Sequence, residues 1–272
     1  MLVTMKIIRF SQRFLGIFCA LGAASSGICL TKDDAQPPAA KFGILPASVL
    51  RNESTVISSA QSAGLSGKGW AGLVCGAARC ELRPVRLDIG TAADGRIAIV
   101  YPQAGRRKPV KGEYTIALVR GFSATDKAAV PTWFTLRTPR NPSDAASGSL
   151  GVSLQVPGQP DWRMVPRWAL GKENDFLTFY LEAGNPGAAQ RRQALGRVSL
   201  EVVDNGIKPR DVLIWAGDLD GDGKIDLITR TGPNSAQPGL QLWLSGQAKG
   251  AQLVAPAAEL TDWTDVEEAE GC

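Results

Sequence analysis

The run Gly217-Asp218-Leu219-Asp220-Gly221-Asp222-Gly223-Lys224-Ile225-Asp226 packs four carboxylates into nine residues, at alternate positions over most of its length, with glycines between. Carboxylates this crowded repel one another, so a tight fold here calls for a compensating cation. Calcium is the natural occupant, because it accepts about six to eight oxygen ligands in flexible geometry. With Asp218 as position 1, Asp220, Asp222 and Asp226 stand at positions 3, 5 and 9. Gly223 at position 6 allows the positive φ that a sharp wrap around an ion demands. Lys224 can offer only its backbone carbonyl, with its side chain toward solvent, and Ile225 anchors the loop to a core. The competing reading is a metal-free acidic turn held by Asx hydrogen bonds.

The flanks choose among metal loops. An EF-hand loop begins in the same way but needs a bidentate Glu at position 12 and a helix on either side. Position 12 is Thr229, and Val212–Trp215 and Ile225–Thr229 read as strands. A Gly/Pro/Asn/Ser turn at 232–239 and a further apolar run, Leu240–Leu244, follow. This text resembles the calcium loop of FG-GAP and VCBS-type repeats, over about residues 210–250. The resemblance implies an antiparallel blade-like hairpin unit. It also implies side-chain ligands from Asp218, Asp220, Asp222 and Asp226, a carbonyl ligand from Lys224, and Ca2+ as the cofactor. Propellers built from such repeats need several blades and a fixed period. No second aspartate loop is present, so one calcium hairpin within an all-β chain is expected, not a closed propeller.

The rest of the 272-residue sequence supports that class. Thirty glycines and 17 prolines favour many short strands over long helices. From Trp70 onward, short β-rich runs alternate with turn residues: Trp70–Val74, Glu81–Ile89, Arg96–Tyr101, Tyr114–Arg120, Thr132–Arg137, Leu150–Val156, Trp162–Leu170, Phe176–Leu181 and Ala194–Val203. Ser48–Ser62 is compatible with a strand or a helix. The expected organisation is a signal peptide at 1–27, a linker or irregular segment at 28–66, and a β-rich domain at 67–205. A calcium-binding β unit with an acidic tail occupies 206–272. The β-rich domain is expected to be an antiparallel sandwich or open sheet.

Lys6, Arg9 and Arg13, then the short apolar run Leu15–Leu21 and the small residues of 22–27, have the order of an export leader. Bulky Ile28 before Cys29 argues against a lipoprotein site; the leader's apolar run is too short to span a bilayer, and no other long apolar segment follows. Periplasmic or extracellular localisation is the expectation. Four cysteines then remain, Cys29, Cys75, Cys80 and Cys272, which admit three pairings. The Gly76-Ala77-Ala78-Arg79 link reads as a hairpin turn that joins Cys75 to Cys80, leaving Cys29 for Cys272. A redox or metal pair at Cys75 and Cys80 is disfavoured by the four-residue spacing and by the lack of neighbouring ligands.

Function is constrained mainly by exclusion. The chain has no histidine, which removes Ser-His-Asp and Cys-His catalysis and histidine-bound metals. The basic cluster Arg106, Arg107, Lys108 and Lys111 reads as a solvated loop, with no nucleic-acid module around it. The expectation is an exported, non-enzymatic β-protein with a structural calcium, which binds a protein or polysaccharide partner or serves surface or envelope assembly. The alternative is carbohydrate binding or glycoside processing, suggested by seven tryptophans and scattered acids. For Trp215 and Trp243, in apolar strand text, burial in a core is the better expectation.

Overall fold

The computed structural model describes residues 41–50, 55–58, 65, 68–77, 79–91, 95, 97–102, 111–123, 129–135, 151–169, 176–184, 191–199, 212–231, 239–261 and 263–265. The expected leader 1–27, Cys29, Cys272 and the basic residues 106–108 lie outside the described residues.

The described chain is all-β, with its strands in four open antiparallel sheets and none closed into a barrel or propeller. The first sheet runs, in spatial order, β1 (Gly43–Pro46), β7 (Tyr114–Arg120), β3 (Trp70–Cys75), β4 (Cys80–Pro84) and β8 (Ala129–Val130). The second runs β18 (Trp263–Asp265), β2 (Thr55–Ser58), β6 (Ile97–Pro102) and β5 (Leu87–Thr91). The third is a meander of β10 (Val152–Leu154), β11 (Trp162–Ala169), β12 (Phe176–Ala183) and β13 (Arg191–Ser199). The fourth runs β17 (Ala255–Leu260), β16 (Gly239–Leu244), β15 (Asp226–Thr231), β14 (Leu213–Gly217) and β9 (Thr132–Thr135).

The fourth sheet explains why its strands read as unbroken apolar text. Both of its faces are covered, so alternate residues enter different cores. Trp215, Ile228, Leu240, Leu242 and Leu244 join Leu45, Leu73 and Leu118 in one core. Leu213, Ala216, Leu227 and Trp243 join Met164, Phe179 and Leu181 of the third sheet in the other. The third sheet, covered on one face, shows the alternation expected of a half-buried strand. Trp162 and Met164 point inward, while the intervening Arg163 and the following Val165 are only partly covered. Burying a Leu or Phe side chain stabilises by roughly 1.5–3 kcal/mol, so each face of the shared sheet contributes on a scale that no surface ion pair matches.

The structure differs from the sequence reading in informative places. The segment expected to be irregular contributes β1 and β2, and the undecided stretch 48–62 holds both a 3-10 turn at Ala47–Leu50 and a strand at Thr55–Ser58. β1 is only four residues long and wholly buried, too short to show any period. The run Glu81–Ile89 is two strands in two sheets, because Pro84 ends β4 and the Val85 N–H donates to the Trp70 carbonyl at 2.8 Å. β17, not among the strands read from the sequence, has the weak strand sequence Ala-Pro-Ala-Ala-Glu-Leu. It becomes a strand by pairing with β16 on the open side of the sheet, where Pro256 costs little. Two pairings span the composition change near residue 206: β9 lies beside β14, and β18 lies beside β2.

Cys75 and Cys80 form a disulfide across the end of the β3–β4 hairpin, opposite each other in register. The Gly76 N–H donates to the Arg79 carbonyl at 2.9 Å to close the turn. On the loop-entropy account a ring this small adds about 2 kcal/mol. Replacing both cysteines with alanine is expected to lower the unfolding free energy by about that amount, read as a lower denaturant midpoint. An unchanged midpoint would mean that the strand ladder alone holds the hairpin.

Candidate metal centre

The acidic loop is the connection between β14 and β15, so two central strands of a doubly buried sheet present it. Its entry is tightly fixed. The Asp218 N–H donates to the Pro131 carbonyl at 2.9 Å. At Gly217, a Cβ would come within 2.2 Å of the Trp215 ring and 2.3 Å of that same carbonyl, so only glycine fits. Leu219 and Ile225 point into the cores and pin the loop from beneath. Gly221 and Gly223 take φ values of 78° and 77°, the left-handed region that lets the chain coil back on itself. The flanks are strands, as expected for a non-EF-hand loop.

Within the coil, side chains bend back onto the backbone. The Gly223 N–H donates to Asp218 Oδ2 at 3.0 Å, the Asp222 N–H to Asp220 Oδ1 at 3.2 Å, and the Lys224 N–H to Asp222 Oδ1 at 2.8 Å. These bonds gather the three carboxylates of Asp218, Asp220 and Asp222 so that one oxygen from each lies within 4.8 Å of the others. Two ligands on opposite sides of a calcium-sized ion stand about 5 Å apart, so these oxygens fit around one centre. Asp218 is 7% exposed, and its Oδ1 is buried with no hydrogen-bond partner. A buried acceptor left unsatisfied costs about 1–3 kcal/mol, and more when charged. A cation in the group would satisfy it.

Asp226 stands apart from those three and has a different task. It is 0% exposed. Its Oδ2 accepts from the N–H groups of Leu219 at 2.7 Å and Asp220 at 3.2 Å. Its Oδ1 accepts from the Ser245 N–H at 2.8 Å and lies 3.1 Å from the Ser245 hydroxyl. One carboxylate therefore ties the start of the loop to the end of β16. Lys224 extends its side chain toward solvent, with its ammonium 3.5 Å from Asp222 Oδ2, an exposed contact of small energetic weight.

Three residues outside the aspartate motif belong to the site. Ser245 places its hydroxyl 3.1 Å from both oxygens of Asp222 as well as from Asp226. Gly246 backs onto Asp220. Gln159, in the β10–β11 turn, donates from Nε2 to the Gly223 carbonyl at 2.6 Å and accepts from Trp162 Nε1 at 3.1 Å. Ser245-Gly246 is visible in the sequence as a turn after an apolar strand. Nothing in the sequence marks Gln159.

The tryptophans are core residues where described. Trp70, Trp162, Trp215 and Trp243 are buried, and Trp133 and Trp263 pack partly buried against the two cores. Trp215 Nε1 donates to Thr132 Oγ1 at 3.2 Å, and Trp243 Nε1 to Thr229 Oγ1 at 2.9 Å. Among the described residues no helix is long and apolar enough to cross a membrane. Comparisons with protein-family models, with curated proteins and with solved structures find no match to this chain.

Burial, with Asp220 nearby, pushes the Asp226 carboxyl up to about 7 against the opposing pull of its backbone donors. Burial, and then neighbouring Asp222, raise Asp220 as well. A folded pKa above the unfolded value of 3.8 means that the native chain holds a proton which the unfolded chain has released. Stability of the protein in chelator is therefore expected to fall as pH rises through the window from about 4 to 7. Melting curves in chelator across that window check this, and a Tm that climbs steadily from pH 5 to 7 would contradict it.

Proposed function

We propose that the loop from Asp218 to Asp226 holds a structural Ca2+, in a single hairpin unit of the FG-GAP and VCBS type, and that the chain is an exported, non-enzymatic β-protein. The observation that carries the metal reading is the orphaned, buried Oδ1 of Asp218, which has no donor, on a residue that shares a carboxylate cluster with Asp220 and Asp222. An all-oxygen donor set suits a hard cation, and flexible coordination suits calcium better than magnesium, which demands near-ideal octahedral geometry. Side chains of Asp218, Asp220 and Asp222 and the Lys224 carbonyl would hold the ion. Asp226, the remaining member of the family pattern, stands outside this group and braces the loop through its backbone donors.

The ion's chemistry here is charge neutralisation. Metal bound only to the folded state adds RT ln(1 + [L]/Kd) to stability, about 2.7 kcal/mol at a hundredfold excess over Kd. A buried disulfide at Cys75–Cys80 supports passage through an oxidising compartment, where even a weak calcium site fills. Binding of a protein or polysaccharide partner, or surface or envelope assembly, is the use that suits an exported β scaffold without histidine chemistry. Sugar stacking finds less support, because four of the tryptophans that would supply it are buried.

Calcium is expected to raise Tm by several degrees over chelator at pH 7.5, and Asp220→Ala combined with Asp222→Ala to abolish that rise. Identical melting of the unmodified protein in calcium and in chelator would sink the metal reading.

A further inference from the structure

We infer that the Ser245–Gly246 turn, twenty residues beyond the aspartate motif, is the second wall of the cation site: Gly246 keeps the seat beside Asp220 open, and Ser245 sets the angle of Asp222. This rests on the reading that the loop holds a cation, and adds residues to it that the motif does not contain. The turn begins the short 3-10 segment Ser245–Gln247, which follows β16 directly. β16 pairs with β15, whose first residue is Asp226, so sheet register delivers the turn to the mouth of the loop. The Asp226 carboxylate then fixes it, through the Ser245 N–H at 2.8 Å.

The absence of a side chain at position 246 has a specific meaning. A Cβ built on Gly246 would lie 2.5 Å from Asp220 Oδ2 and 3.5 Å from Asp222 Oδ2. The first distance is a collision and the second an ordinary contact. The colliding atom belongs to an exposed aspartate tethered through its other oxygen by the Asp222 N–H at 3.2 Å; giving up that one exposed bond lets it swing away, so alanine would leave the fold intact. It would instead push one carboxylate out of the group of three. Gly246 is not among the glycines with positive φ, so its backbone tolerates any residue. The requirement for glycine thus lies in the space that Asp220 needs, not in turn geometry. Ser245 complements it: its hydroxyl has a single proton to donate toward the Asp222 oxygens at 3.1 Å, while its N–H donates to Asp226 at 2.8 Å, so the turn links the two carboxylates.

The test compares Gly246→Ala and Ser245→Ala with Gly196→Ala, at a glycine whose Cβ would meet nothing within 4 Å. Calcium binding is measured by titration calorimetry and by luminescence of Tb3+ in its place, and folding by melting in chelator. Losing a residue that orients metal ligands costs roughly 10- to 100-fold in affinity. Gly246→Ala is expected to fall in that range, and Ser245→Ala to weaken binding in the same direction. Gly246→Ala and Gly196→Ala are expected to melt in chelator within about 2 °C of the unmodified protein, a shift below 1 kcal/mol for a chain of this size, and Ser245→Ala, which loses a buried hydroxyl, to stay folded but melt lower. If the unmodified protein binds calcium and both Gly246→Ala and Ser245→Ala bind as tightly, the second wall is refuted while the metal reading stands. If the unmodified protein binds neither ion, the metal reading falls and takes this inference with it. A Gly246→Ala chain that unfolds in chelator would show that the position serves the fold, and would likewise refute the assignment.

Discussion

Asp226 is a carboxylate with no solvent contact, and three backbone N–H groups from two separate pieces of chain converge on it. It receives N–H groups from Leu219 and Asp220 at the start of the acidic loop and from Ser245 at the end of β16. Ionised, it is a strong acceptor whose charge-assisted bonds offset part of the cost of its burial, the rest showing in its raised pKa. Without it the loop entry would carry unsatisfied buried donors, and the turn after β16 would lose its attachment to the loop. The arrangement of Asp218, Asp220 and Asp222 therefore depends on a residue that stands outside their group.

The loop gains precision from what lies beneath it. Sites on rigid elements hold their geometry better than sites on free loops. Here β14 and β15 are buried on both faces, Leu219 and Ile225 are anchored, and Gly217 is squeezed between the Trp215 ring and the Pro131 carbonyl. A link from the third sheet reaches the same place, since Gln159 bonds at once to the Gly223 carbonyl and to Trp162. Side chains from both cores and a turn from a neighbouring sheet thus bear on the eight residues of irregular backbone between β14 and β15.

How much of this was legible in the sequence depends on the range of the interactions. The all-β class, the central strands around Trp215, Ile228 and Trp243, the Cys75–Cys80 hairpin and the glycine at 223 could all be read, because each leaves a local signature of period, turn chemistry or spacing. β1 and β17 could not. The first is too short for a pattern, and the second is poor in strand-forming residues and is made a strand by β16. The same distinction holds at the site. Asp218, Asp220 and Asp222 announce themselves by spacing, whereas Ser245, Gly246 and Gln159 reach the loop only through sheet register and the packing of one sheet on another. The bracing role of Asp226 was also hidden, since spacing alone gives it the same standing as its three neighbours.

A sheet that lends one face to each of two cores has a mechanical meaning of its own. Peeling away either core would strip the cover from β14, β15 and β16 together, leaving alternate apolar side chains such as Trp215 and Ile228, or Leu227 and Trp243, bare to water. Neither half can therefore melt quietly while the other persists. The layers around these strands are bound to a common fate, and a blow to any of them is shared by all.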